Sequence, residues 1–301
     1  MKPQTEQTYR ERILKVLVYI QEHLDEATDL EELAAVACFS PYHSHRTFRG
    51  MVGESVKEHI RRLRLERAAY GLKRTNRPIT RIALDAGYET HESFTRAFGT
   101  MFGRSPSEFR REHREVPAPQ TRSGVHYVAD GTLENFKPVS TGGPTMDVRI
   151  ENVAPMRVAF IRHTGPYDQV GTTWGQLMAW AGQHGLSGPQ SKMLGLCHDD
   201  PEVTPPDKIR YDACVVVGDG VQPEGEVGVQ EIAGGEYAVT THEGPYEKLG
   251  ETYARLCGEW LSQSGRELRS APGFEVYRNS PQQTPPEQLL TDIHMPLASK
   301  M

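Results

Sequence analysis

Two stretches of this chain carry residues whose types and spacing suit recognition chemistry. In the first, Phe94, Phe98 and Met101 recur at i, i+4 and i+7, while His91, Glu92, Ser93, Thr95 and Arg96 fill the other positions. One helix face is then apolar, and the other offers donors and acceptors near the helix N-terminus, where such a face can meet base edges. In the second, Glu275 and Tyr277 lie two residues apart, so strand alternation sets a carboxylate beside a phenol on one face. A carboxylate in an apolar, aromatic setting is costly unless it protonates or meets a cation, which points to a site for a positively charged ligand. Metal chemistry has no comparable support. His43-x-His45 is an isolated pair, and Cys38, Cys197, Cys214 and Cys257 have no Cys-x-x-Cys spacing. The chain also lacks a signal peptide and an apolar run of membrane length, so the expectation is a cytoplasmic protein with free thiols, no metal and no cofactor.

Elements to hold the first set are specified locally. A helix over Thr80–Ala86 buries Ile82, Ala83 and Ala86; Gly87 ends it in the left-handed conformation, and Thr90 caps the helix that follows. The unit is repeated. Leu33–Ser40 recurs 49 residues later as Ile82–Glu89, and Arg46, Phe48 and Gly53 recur at an offset of 50 as Arg96, Phe98 and Gly103, which puts the length difference in the turn. In the first copy Ser40 and Pro41 are the N-cap and first position of a helix Tyr42–Val52, with Tyr42, His43, His45, Arg46 and Arg49 outside. Ile13, Val16, Leu17 and Ile20 make the stripe of a preceding helix, Thr8 to Leu24, that packs on this unit, and Asp29-x-x-Glu32 is a capping box for Leu30–Ala37. A connecting helix from Ser55 to Arg74 joins the copies, and Ser105 to Glu108, with Pro106 between, caps a last one. Net charge is −6, but residues 1–115 hold 20 Lys+Arg against 17 Asp+Glu and residues 116–301 hold 14 against 23. The basic excess includes Arg61, Arg62, Arg64, Arg67, Lys73, Arg74 and Arg77, some of which are expected to meet phosphates.

Two such units on one connecting helix, closed by Gly103–Arg110, resemble the DNA-binding domain of the AraC/XylS transcription regulators over residues 8–112. The resemblance implies an all-α double helix-turn-helix domain at 1–112 that binds double-stranded DNA in the major groove, with RNA polymerase as a further partner. It places Tyr42, His45 and Arg46 at positions that meet DNA. Ser44 departs from the family, which usually has a large apolar residue there.

Residues 113–144, rich in Pro, Gly, Ser and Thr, are expected to form a linker with a short strand at Val125–Val128. From Met146 the pattern becomes β-branched alternation and a second duplication begins. His163, Gly165, Pro166, Tyr167 and Gly171 recur 79 residues on as His242, Gly244, Pro245, Tyr246 and Gly250; Trp180, Gln183 and Gly185 recur 80 residues on as Trp260, Gln263 and Gly265. Each half reads as two strands, a Gly-Pro-Tyr turn, a helix, a strand, a Pro-rich turn and a strand: 146–151, 157–163, 168–184, 193–198 and 210–217, then 227–232, 236–242, 247–264, 273–278 and 289–296. Two such halves about a pseudo-two-fold form an α+β domain, a curved antiparallel sheet with two helices against it and a cleft on the axis.

The copies diverge at the fourth strand. Leu194 and Leu196 align with core positions Phe274 and Val276, whereas Gly195 and Cys197 align with Glu275 and Tyr277, so one half offers space where the other offers a carboxylate and a phenol. Trp174, Tyr167, Tyr211, Tyr246 and Tyr277 could supply ring faces to a cation. This half of the chain, about 145–298, resembles the GyrI-like effector-binding domain, which follows the AraC-type domain in Rob-like regulators. That resemblance makes 145–301 an effector-binding domain and Glu275 the residue that receives small cationic or lipophilic effectors. The chain is then a transcription regulator and not an enzyme. Two alternatives stay open: a GyrI-like hydrolase using Glu275 as base beside Tyr277, and an inhibitor of a DNA-processing enzyme. His163 and His242, equivalent in the repeat, are expected to hold their loops by hydrogen bonds.

Overall fold

The computed structural model describes residues 2–112, 119–140, 145–186, 188, 191–201 and 203–299. Its helical half contains α1 (Lys2–Glu22), α2 (Leu30–Val36), α3 (Ser44–Val52), α4 (Val56–Arg74), α5 (Ile79–Asp85), α6 (His91–Phe102) and α7 (Pro106–Arg111). Local chemistry sets most of these ends. Thr90 accepts from the Ser93 N–H at 3.1 Å to start α6, Gly87 takes φ +81° after α5, and Ser105 and Glu108 form a reciprocal capping box at α7. Two caps differ from expectation. Asp29 caps α2 through the Glu31 N–H, but Glu32 accepts from the Tyr19 hydroxyl instead of closing the box. At the other, α3 begins at Ser44 and not Tyr42, because the Ser40 carbonyl accepts from both the His43 and Ser44 N–H groups and Pro41–His43 is a turn.

The two helix-turn-helix units are buried differently. The second has its own core of Leu65, Ala68, Leu72, Ile82, Ala83, Phe94, Phe98 and Phe109. In the first, Ile13, Leu17, Phe48, Met51 and Leu63 share one cluster with Tyr253, Leu256, Cys257 and Leu261 from the far end of the chain. Val125 and Phe136 are buried in that same cluster, so the described part of the expected linker is a packed strap; its residues 113–118 and 141–144 lie outside the described ones. No strand forms at Val125–Val128. Side chains take the place of a partner strand there: Glu66 accepts from the Tyr127 N–H at 2.7 Å, and Gln21 accepts from the Val128 N–H at 3.0 Å while donating to the His126 carbonyl at 2.9 Å.

Much of the basic run is paired internally, although Arg61, Lys73, Arg74 and Arg77 remain exposed. Arg62 is buried and donates to Glu54, to Glu66 at 2.9 Å and to the Val125 carbonyl at 2.9 Å. Arg64 donates to the Leu24 carbonyl at 2.7 Å, Arg67 pairs with Asp25, Lys73 donates to the Glu112 carbonyl, and Arg77 pairs with Asp85. These bonds fasten α4 to the α1–α2 loop, α5 and the strap.

The second half is an antiparallel sheet of β1 (Arg149–Val153), β2 (Met156–Thr164), β3 (Met193–Cys197), β4 (Arg210–Val216), β5 (Gly228–Ile232), β6 (Gly235–Glu243), β7 (Gly273–Tyr277) and β8 (Leu290–Pro296), in the order β1-β6-β8-β7-β3-β4-β2-β5. The order is symmetric about the β3–β7 pair, with the first strand of each repeat exchanged into the other half. One sheet face carries a cluster of strand residues alone, including Leu194, Leu196, Phe274 and Tyr237. The other face carries the helices. α8 (Val170–Gln183) covers one half with Leu177, Trp180 and Ala181.

The helix of the second repeat is interrupted: α9 (Leu249–Arg255), a π-turn over Leu256–Trp260, and α10 (Leu261–Ser264). The repeat offset rises from 79 at Gly171/Gly250 to 80 at Trp180/Trp260. The added residue therefore falls inside this helix, which absorbs it as i→i+5 bonding. The π-turn lies against α3. A Cβ built on Gly50 would be 2.7 Å from Gly258 Cα, so the two backbones touch where glycine stands on both sides.

Burial pushes the Glu54 carboxyl up, but hydrogen bonds from His59 and Arg62 outweigh it and hold the group at about 2. Burial lowers His59, which leaves Arg62 as the charge that Glu54 answers. A depressed carboxyl contributes stability that is complete above its unfolded value and lost as pH falls toward its folded one. Wild type is therefore expected to lose up to about 3 kcal/mol from this site between roughly pH 4.5 and 2. Urea titrations across that window should show a flatter loss for Glu54→Gln; parallel curves would mean that the network is not what acid breaks.

Candidate functional site

Glu275 lies on β7, directly opposite Gly195 of β3 at the symmetry centre of the sheet. It is not an exposed edge residue: 6% of its surface is accessible. One oxygen accepts from the Tyr253 hydroxyl at 3.0 Å and from the Cys197 thiol at 3.4 Å, and the other from the Tyr277 hydroxyl at 2.8 Å. A second tier supports the first. Tyr211 and Tyr277 share a hydroxyl hydrogen bond of 2.8 Å, and Trp174 Nε1 donates to Tyr211 at 3.1 Å. Rings of Trp174 and Tyr246 stand edge-on to Tyr277 with centroids 5.7 and 5.6 Å away, and Tyr167 stands edge-on to Tyr211 at 5.7 Å. All six residues expected at the ligand site from sequence are thus brought together: Glu275, Tyr277, Trp174, Tyr167, Tyr211 and Tyr246.

Burial pushes the Tyr253, Tyr211 and Tyr277 hydroxyls well up from their ordinary value, and the neighbouring Glu275 charge adds to it. They stay protonated and act as donors. Burial and then Glu275 likewise push the Cys197 thiol up, so its part in the site is that of a weak donor rather than a nucleophile. The space expected over Gly195 is taken: a Cβ there would lie 2.6 Å from both Tyr211 Cε2 and Tyr277 Oη. Glycine is needed because the hydroxyls of two tyrosines meet over it.

Tyr253, the largest omission from the sequence-based set, sits 79 residues after Trp174 and is its repeat equivalent. The duplication could have found it. Its ring carries a cation already: the Arg46 guanidinium carbon lies 4.1 Å from the Tyr253 centroid and a guanidinium nitrogen 3.8 Å from Asp200. Asp200, in the loop after β3, also accepts from His45 Nδ1 at 3.0 Å, while His45 Nε2 accepts the Val56 N–H, which fixes the tautomer. His43 Nε2 donates to the Ala271 carbonyl at 2.9 Å.

The residues expected at DNA thus fall into two groups. His43, His45 and Arg46 are buried against the C-terminal half, and Tyr42 and Arg49 are half-buried. On α6, His91, Glu92 and Arg96 are exposed and Ser93 half-buried, with the apolar face sealed by Phe94 and Phe98. His163 and His242 hold their turns as expected, bonding the Pro166 and Pro245 carbonyls at 3.0 and 3.2 Å. Among the described residues, no group of three or more His, Cys, Asp or Glu is placed to hold a metal, and no helix is long and apolar enough to cross a membrane.

A family model for the GyrI-like small molecule binding domain matches residues 146–298, half of the chain. The chain belongs to the GyrI-like family. A helix-turn-helix model matches residues 33–112, which gives this GyrI-like protein an AraC-type domain ahead of its sheet. The probable transcriptional regulator YgiV of Escherichia coli K12 is 32% identical over 157 residues, 51% of this chain and 98% of YgiV. The regulatory protein SoxS of the same strain is 33% identical over 103 residues, 34% of this chain and 96% of SoxS. The fold of the C-terminal half is similar to the EcmrR C-terminal domain, at 20% identity and a TM-score of 0.42 over 52% of this chain and 99% of that one.

Adding a methyl group at Gly195 should force the two tyrosine hydroxyls apart. Gly195→Ala is expected to cost about 1–3 kcal/mol in unfolding free energy and to change Trp174 emission as its bond to Tyr211 is lost. An unchanged spectrum and midpoint would show that the hydroxyls do not meet over Gly195.

Proposed function

We propose that this protein is a transcription regulator that reads double-stranded DNA through its helix-turn-helix units and binds a small lipophilic cation at Glu275. The observation that carries the ligand class is the arrangement around Glu275. A carboxylate is held on both oxygens by phenolic donors within a cluster of aromatic rings, a setting that favours a cation and its apolar substituents. The helix α6 supports the DNA half of the proposal, because its exposed His91, Glu92 and Arg96 lie at the N-terminal end that such helices turn to base edges in the major groove. RNA polymerase is the expected partner of the DNA-bound form.

Arg96→Ala is expected to weaken binding to DNA selected by the protein from a random pool by about 1–3 kcal/mol, and to relax preference at one base pair. Mobility-shift titrations on selected and random DNA check this; equal losses on both would reduce Arg96 to a positioning contact. For the ligand, benzyltrimethylammonium at 100 times its Kd should stabilise wild type by about 2.7 kcal/mol and raise its melting temperature. Glu275→Gln keeps the shape and removes the charge, so most of that shift should disappear. Equal shifts in the two proteins would place the ligand elsewhere.

A further inference from the structure

Arg46 stands in a position that neither DNA reading nor folding of its own unit requires. It projects from α3, in the helical half, into the C-terminal half, where it is 8% exposed. There it stacks at 4.1 Å on Tyr253, the ring whose hydroxyl bonds Glu275. Asp200, Tyr167 and Cys197 are among its other neighbours. A cation, an aromatic face, a flanking carboxylate and a carboxylate one ring away are the elements of a cation site, and here the cation is supplied by the chain. The helix that carries it is docked by the same surface. His43 and His45 are bonded to Ala271 and Asp200, and Gly50 lies against Gly258 of the π-turn. In this arrangement the outward face expected to enter a groove is the face that is covered.

We propose that Arg46 is an internal occupant of the effector cleft, so that α3 is held off DNA until a cationic effector takes the Tyr253 face and displaces it. This rests on the proposal that the Glu275 cleft is the effector site, and names both its preferred chemistry, a guanidinium or similar planar cation on an apolar group, and its regulation. Docked α3 excludes groove contact by α3, whereas α6 and its polar face stay exposed in the docked form. A ligand that competes with Arg46 therefore favours the undocked state and must raise DNA affinity, and DNA that engages α3 must raise ligand affinity by the same factor. Attachment of the two halves does not depend on α3 alone: α1 keeps its own contacts, with Arg12 paired to Glu267 at 3.1 Å and the Tyr9 hydroxyl on the Arg266 carbonyl.

The test uses the full chain, with benzylguanidinium as probe and benzylurea as its neutral isostere. By calorimetry, Arg46→Met, which keeps the apolar stem, is expected to bind benzylguanidinium at least tenfold more tightly than wild type, since the internal competitor is gone; benzylurea should gain nothing. If Arg46→Met binds no more tightly while Glu275→Gln loses the preference for the charged probe, the cleft is an effector site without an internal occupant, and the inference is overturned alone. If neither wild type nor Arg46→Met prefers the charged probe, the effector site itself is refuted and the inference with it. Coupling is read from a lock. Ser40 and Ser270 have hydroxyls 3.4 Å apart across the docked surfaces, so Ser40→Cys/Ser270→Cys, in a Cys38→Ser background, should oxidise to a disulfide that keeps α3 docked. Reduced, this variant should gain at least tenfold in affinity for selected DNA on adding benzylguanidinium, with its footprint extended by about one helical turn. Oxidised, it should gain nothing. An equal response in the two redox forms would show that α3 need not leave, and would overturn the proposal.

Discussion

A carboxylate 6% exposed on a central strand must be answered by hydrogen bonds or charge, and around Glu275 the chain supplies both in layers. Hydroxyls of Tyr253 and Tyr277 satisfy the two oxygens, Tyr211 and Trp174 hold Tyr277 and its neighbours in place, and Arg46 brings a positive charge to the outer face of Tyr253. Each layer depends on a different element: β7, α9, β4, α8 and finally α3. The first helix-turn-helix unit, which supplies Arg46, shares a core with the C-terminal half, while the second has a core of its own.

Duplication explains how one side of a symmetric sheet became specialised. Equivalent positions keep the turn chemistry, with His163 and His242 bonding the same proline carbonyl in each copy. At the axis they diverge, Gly195 against Glu275 and Trp174 against Tyr253. The divergence is complementary: the small residue of one copy makes room for the tyrosines that hold the carboxylate of the other. A single added residue in the second helix is accommodated by a π-turn, and that turn presents Gly258 to α3. An insertion that a regular helix would not have tolerated without rotating its faces has become part of an interface.

Much of this was legible in the sequence because it is local or periodic. Both repeats, the positions of all eight strands to within a few residues, the caps at Thr90 and Ser105, and the face shared by Glu275 and Tyr277 follow from alternation, capping chemistry and internal alignment. Tyr253 was legible too, through its equivalence to Trp174. The docking of α3 was not. Arg46 has the same local pattern as Arg96, yet one is buried on Tyr253 and the other exposed, and the difference lies in residues more than 150 positions away. The internal pairing of the basic run was hidden for a related reason. Of its acidic partners only Glu66 lies within the run; Asp25, Glu54 and Asp85 lie outside it, so a window over the run sees the arginines and not most of their salt bridges. The strap at 125–128 reads as a strand because its alternation is real, but its partners are the side chains of Gln21 and Glu66.

The central claim is that a residue of the DNA-reading helix occupies the effector cleft, and a crystal structure of the full chain with benzylguanidinium tests it most directly. The prediction is that the ligand guanidinium lies over Tyr253, with its ring among Trp174, Tyr167 and Tyr246, and that Arg46 has left that face. A complex in which Arg46 still stacks on Tyr253 at about its present 4.1 Å, with the ligand bound beside it or elsewhere, would contradict the claim.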